Sequence, residues 1–190
     1  MVIELQHIRL DTVPHNWSNL LSPGRRLTTL VHDPQEYYHS VVHFLFDDGG
    51  ILKAAAHEHY LHRSFFSYTL TLEISTEALG NRISLSPLFE IEEVYALIRD
   101  EWVVPAVELE GKTIGNNPHY HISGLPGSAP DGTLILATCL AGVLVVSQDG
   151  RQLAISAAVD VPLNVDVISD SGELKNIIGR HECRLLGAGA

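Results

Sequence analysis

The chain has 190 residues, 45% of them apolar and only 18% charged, the balance of a folded domain with a sizeable core rather than a disordered segment. Its 23 acidic residues against 12 Lys and Arg give a formal charge of −11. That charge repels phosphate backbones and anionic bilayers, which argues against nucleic acid and membrane surfaces as partners and leaves a basic protein or a cation as the natural complement. The same charge also serves solubility.

Two cysteines, Cys139 and Cys183, are too few for a disulfide scaffold, and no basic region followed by an apolar stretch and a cleavage site opens the chain, so the reducing cytoplasm is the expected compartment. No break in composition divides residues 1–190, which reads as a single globular domain.

In chain order, Val2 to Leu10 reads as a first strand, followed by a loop through Pro14, Asn16, Pro23 and Gly24. Leu27 to His32 offers a short strand. Asp33-Pro34-Gln35-Glu36 then has the form of a helix start, with a cap, a proline in the first turn and a glutamate three places after the cap. The β-branched and aromatic residues beyond it, Val41, Val42, Phe44 and Phe46, reduce it to one helical turn running into a strand. Asp47-Asp48-Gly49-Gly50 supplies a hairpin turn, and Ile51 restarts the apolar pattern. The returning strand alternates cleanly: Phe66, Tyr68, Leu70, Leu72 and Ile74 share one side, Ser67, Thr69, Thr71 and Glu73 the other.

The main helix is expected next. Ser86 caps, Pro87 sits in the first turn, and Leu88, Ile91, Tyr95, Ile98 and Trp102 recur at spacings of three and four, with Glu90, Glu92 and Glu93 near the positive N-terminal end. Pro105 ends it. Val107 to Ile114 suggests a short hairpin, and Gly115 to Gly132 is a long loop rich in turn formers, the length at which binding loops and lids are found. The run Thr133 to Val146 is too short and too interrupted, by Thr138 and Gly142, for a membrane span and reads as buried core. Val143 to Val159 is a hairpin around Gln148-Asp149-Gly150, Val161 to Val167 a strand, Asp170-Ser171-Gly172 a third turn, and His181 to Leu186 a final strand.

The expected class is therefore α+β and mainly antiparallel β: a meander sheet, a flattened barrel or a sandwich, with one main amphipathic helix packed on a face.

Eleven histidines are more than packing requires. Two pairs stand out, His57 with His59 and His119 with His121. Residues two apart on a strand face the same side, so each pair can present two imidazoles to one divalent transition metal ion. Glu58 would point to the opposite face, leaving Asp47, Glu73 and Glu182 as carboxylates that the fold could add. The run from Gly50 to His57 and His59 resembles the first metal motif of cupins, a glycine followed by His-x-His on a β-barrel, over about ten residues. The resemblance implies a barrel with a bound metal. It stops at His59, because Tyr60 to Ser64 holds no acid and the family's second motif is missing.

Cys139, set among Leu134, Ile135, Leu136 and Leu140, reads as a small core residue. Arg25 and Arg26, in Ser22 to Arg26, suggest an anion contact but lack the spacing of a phosphate loop. No nucleophile elbow, Rossmann glycine set or Walker motif is found. Two functions remain: an acidic interaction domain that occludes a basic partner, as immunity proteins and inhibitors do, and a small His-ligated metalloprotein or metalloenzyme of β-barrel type. Either is compatible with a homo-oligomer.

Overall fold

The computed structural model describes residues 5–35, 39–62, 65–103, 134–157 and 163–188. Among these residues ten strands and two helices follow one another: β1 (Leu5–Leu10), α1 (Trp17–Leu20), β2 (Arg26–Gln35), β3 (His39–Phe46), β4 (Ile51–His62), β5 (Phe65–Ser75), β6 (Asn81–Val103), β7 (Leu134–Ser147), β8 (Gln152–Ala157), β9 (Val165–Ile168), α2 (Ser171–Arg180) and β10 (Glu182–Ala188). They form one sheet in the order β5-β4-β3-β2-β6-β7-β8-β9, with β10 added along β6 and β1 along β7. All pairings are antiparallel except that of β1 with β7. The sheet does not close. It coils until β5 lies against β7, and β3 meets the start of β9 where the Ser40 amide donates to the Leu163 carbonyl.

The expected class holds: a mainly antiparallel sheet with one short helix packed on it. The helix is not where the sequence pattern put it. Residues 86–102 lie within β6, the longest strand, and the packed helix is α2. Val94, Ala96 and Ile98 of β6 enter the larger core, whereas Leu97 and Tyr95 pack under α2 with Leu144, Ala154, Ile168 and Leu174. A strand covered on both faces loses its alternation, and its continuous apolar run then mimics a helical stripe.

The Asp170-Ser171-Gly172 turn is likewise corrected. Asp170 is the N-cap of α2, its carboxylate accepting hydrogen bonds from the amides of Gly172 and Glu173. The helical turn expected at 33–36 is absent from its described part, since Asp33 to Gln35 finish β2, and residue 36 lies outside the described residues. The hairpin at 107–114 and the loop at 115–132 also lie outside them.

The two expected Asp-Gly hairpin turns are present. Gly49 and Gly150 take positive φ angles of 82° and 81°, conformations that a side chain would disfavour. Gly142 is needed for a different reason. Beside the bulge at Ala141, β7 and β8 approach so closely that a Cβ on residue 142 would collide with the Ile155 carbonyl oxygen.

Cross-strand rows show how the core is built. Ile83, Leu30, Phe44, Leu52 and Ile74 are directly paired across β6, β2, β3, β4 and β5. The middle three are buried in the larger core beside Val143, Val145 and Ile155 of β7 and β8. Arg82, Val31, His43, Lys53 and Glu73 form the neighbouring row on the other face, closed at its edge by the Lys53–Glu73 ion pair at 2.9 Å.

Candidate functional site

The first histidine pair is assembled as its spacing implies. On β4, His57 and His59 face one side with ring centroids 4.7 Å apart and planes at 79°. His57 is exposed, and its ring makes no hydrogen bond among the described residues. His59 is half-buried, and its Nε2 lies 2.8 Å from Thr69 Oγ1 on β5. Burial, and then the neighbouring His57, hold the His59 pKa below the ordinary histidine value.

Glu58 points to the other face, where it accepts a hydrogen bond from the Tyr68 hydroxyl at 3.2 Å. The carboxylates considered as further ligands are engaged elsewhere: Glu73 with Lys53, Glu182 with Arg184, and Asp47 within 3.9 Å of Arg26. His119 and His121 lie outside the described residues. Among the described residues, no three His, Cys, Asp or Glu side chains come together as a metal cluster.

A buried polar cluster lies where β5 crosses β7. The Ser67 hydroxyl sits 2.9 Å from Glu101 Oε2 and 2.7 Å from Cys139 Sγ, while Arg99 Nε donates to Glu101 Oε1 at 2.6 Å. Arg99 and Glu101 also form an ion pair. This arrangement does not activate the thiol. Burial, reinforced by the charge of Glu101, pushes the Cys139 pKa up to about 12, so the sulfur is a protonated core atom, as its apolar neighbours in sequence imply.

The arginines of the suggested anion loop are also occupied. Arg25 donates to Asp48 and stacks on Phe46 at 3.6 Å, and Arg26 donates to Glu90 at 2.9 Å. A third network ties β1 to the sheet, with His7 Nε2 2.7 Å from the Thr138 hydroxyl and that hydroxyl donating to Asp100.

A buried imidazole, His43, and a half-buried one, His181, should make stability depend on pH. His43 is buried, and its Nδ1 has no hydrogen-bond partner among the described residues. Burial lowers its pKa, partly opposed by Asp33 and Glu77 and aided by Lys53. His181 holds the Ile177 carbonyl at 2.7 Å through Nδ1, and its Nε2 has no partner among the described residues. Burial again lowers its pKa, with the Ile177 carbonyl and Glu101 opposing and Arg99 and Arg180 adding to the effect. Both groups bind protons less readily folded than unfolded. Their contribution to stability is therefore full above the unfolded value of 6.5 and is lost as pH falls below it toward the folded pKa. The expected outcome is a melting temperature that declines between pH 7 and pH 5, with a shallower decline in His43→Gln. Equal slopes in the two proteins would remove His43 as a source.

Exposed apolar side chains are concentrated in one stretch. Of the five large ones among the described residues, four fall in residues 74–88: Ile74, Leu79, Ile83 and Leu88. The stretch runs from the end of β5, through the 76–80 connection, into the start of β6. There residues 81–84 pair with β2 on one side and with no described strand on the other. Beyond Ser84, β6 bulges away from β2, and Arg151 holds the bulge by donating to the Pro87 and Leu88 carbonyls at 2.9 and 2.7 Å. Next to the bulge is an apolar cleft of about 390 Å³ with Leu85, Phe89, Leu153 and Leu174 on its walls and Lys175 at one side. Local sequence does not mark this surface, although Ile83 and Leu88, on a strand with one flank that pairs with no described strand, are the kind of feature that belongs to an edge.

No family model, no curated protein and no solved structure matches the chain.

Proposed function

We propose that the chain is an acidic protein-binding domain that occludes a basic partner, in the manner of immunity proteins and inhibitors, with the start of β6 at the centre of its contact surface. The observation that carries the reading is the exposure of Ile83 and Leu88 at the start of β6, where among the described residues one flank of the strand pairs with no other strand. Exposed apolar groups beside free backbone donors and acceptors are what strand addition and hydrophobic docking use. The formal charge of −11 would speed the approach of a positive surface and disfavour an acidic one.

The test is capture from cells of the source organism with wild-type protein and with the Ile83→Lys/Leu88→Lys double variant. Both positions are exposed, so the stability change is expected to stay within about 1 kcal/mol. A stoichiometric basic partner retained by wild type, lost by the variant and associating more slowly at high salt supports the reading. Equal capture by both proteins, no stoichiometric partner, or a concentration-dependent self-dimer abolished by the same substitutions would overturn it.

A further inference from the structure

We propose that His57 and His59 form a two-imidazole chelate for a borderline divalent transition ion, Zn²⁺, Ni²⁺ or Cu²⁺, on the face of β4 that also carries Lys53. The separation of the rings carries the argument. With metal–nitrogen bonds of about 2.0–2.1 Å, each ring centroid stands about 3.2 Å from the ion, so nitrogen–metal–nitrogen angles of about 90–110° put two centroids about 4.5–5.2 Å apart. The observed 4.7 Å falls within that interval without any rotation of the strand.

Thr69 supplies a second, independent element. A metal-bound imidazole commonly donates its other ring N–H to a fixed acceptor, which sets the tautomer and the ring orientation. His59 Nε2 lies 2.8 Å from the Thr69 hydroxyl; donation there leaves the Nδ1 lone pair as the metal donor. His57 is exposed and its ring makes no hydrogen bond among the described residues, which leaves its nitrogens able to turn toward the same ion. Lys53, the cation on the same face of β4, is neutralised by Glu73. No third protein ligand stands nearby among the described residues, so the remaining coordination positions are open to water or to a ligand from outside. The centre is separate from the β6 surface and stands or falls apart from the protein-binding reading.

The experiment is calorimetric titration of tag-free protein with Ni²⁺ and Zn²⁺, together with electron paramagnetic resonance of the Cu²⁺ form. One saturable equivalent is expected, with two imidazole nitrogens in the Cu²⁺ spectrum. Binding should be lost in His57→Gln and in His59→Gln, and weakened about tenfold in Thr69→Val, whose hydroxyl only orients a ligand. Zn²⁺-induced shifts of the His57 and His59 ring protons in wild-type protein keep the test open should a variant fold poorly. Absence of saturable binding by wild type, or undiminished binding by the His57→Gln/His59→Gln protein, overturns the proposal; so does dependence on His119 and His121 alone.

Discussion

Replacing Glu101 by alanine is expected to lower the unfolding free energy by about 3–5 kcal/mol, the range for breaking a buried ion pair from one side. The side chains of Glu101 and Arg99 are 5% and 11% exposed, so alanine at 101 leaves a guanidinium charge with little water to replace its partner. It also takes from the Ser67 hydroxyl its carboxylate acceptor, leaving only the weak Cys139 sulfur beside it. For a chain of this length the loss corresponds to roughly 6–20 °C in melting temperature. The Arg99→Met/Glu101→Leu double variant should be less damaging than Glu101→Ala, because two apolar side chains fill the space with no charge stranded. Urea unfolding of the wild type, both single alanine variants and the double alanine variant closes a cycle whose coupling term should be large and favourable. Additive losses would mean that the pair is solvated in solution and that the crossing of β5 over β7 is looser than its contacts imply.

The same crossing explains how much of the site could be read from sequence. His57 and His59 were legible because strand periodicity is local: residues two apart share a side wherever the strand lies. The Ser67 cluster was not. Alternation places Ser67 and Thr69 with Thr71 and Glu73 on the polar side of β5, and the last two are indeed exposed. Ser67 and Thr69 are buried because β5 meets β7, a contact between residues some seventy positions apart that no window of sequence contains.

The misplaced helix has a related cause. In β6 the acids that looked like an N-terminal charge pattern have separate long-range or strand-local partners: Glu90 with Arg26 and Gln148, Glu93 with the Tyr95 hydroxyl. Conversely, α2 had the local signals of a helix in Asp170, Glu173, Leu174, Ile177 and Ile178. Asp-Ser-Gly starts turns as readily as helices, and the Asp-Gly pairs at 48–49 and 149–150 do form turns.

Along the row Ile83, Leu30, Phe44, Leu52 and Ile74 a steep gradient of mutational cost is expected. The five side chains point to one face, yet their exposures run 49%, 2%, 0%, 2% and 76%. Phe44→Ala empties the centre and should cost about 3–5 kcal/mol, the lost transfer energy plus a cavity that neighbours on two paired strands cannot fill. Ile74→Ala and Ile83→Ala should each cost under about 1 kcal/mol, since Ile74 is mostly and Ile83 about half in water already. Because Phe44 lies in a core shared with β7 and β8, its loss should lower the midpoint of a single urea transition and not split it. A comparable cost at Ile83 and Phe44 would mean that the flank of β6 is covered in solution, and the surface assigned to a partner would then be interior. The small expected cost at both ends is thus a condition for binding as well as a matter of stability: side chains that contribute little to folding are the ones left to contribute to an interface.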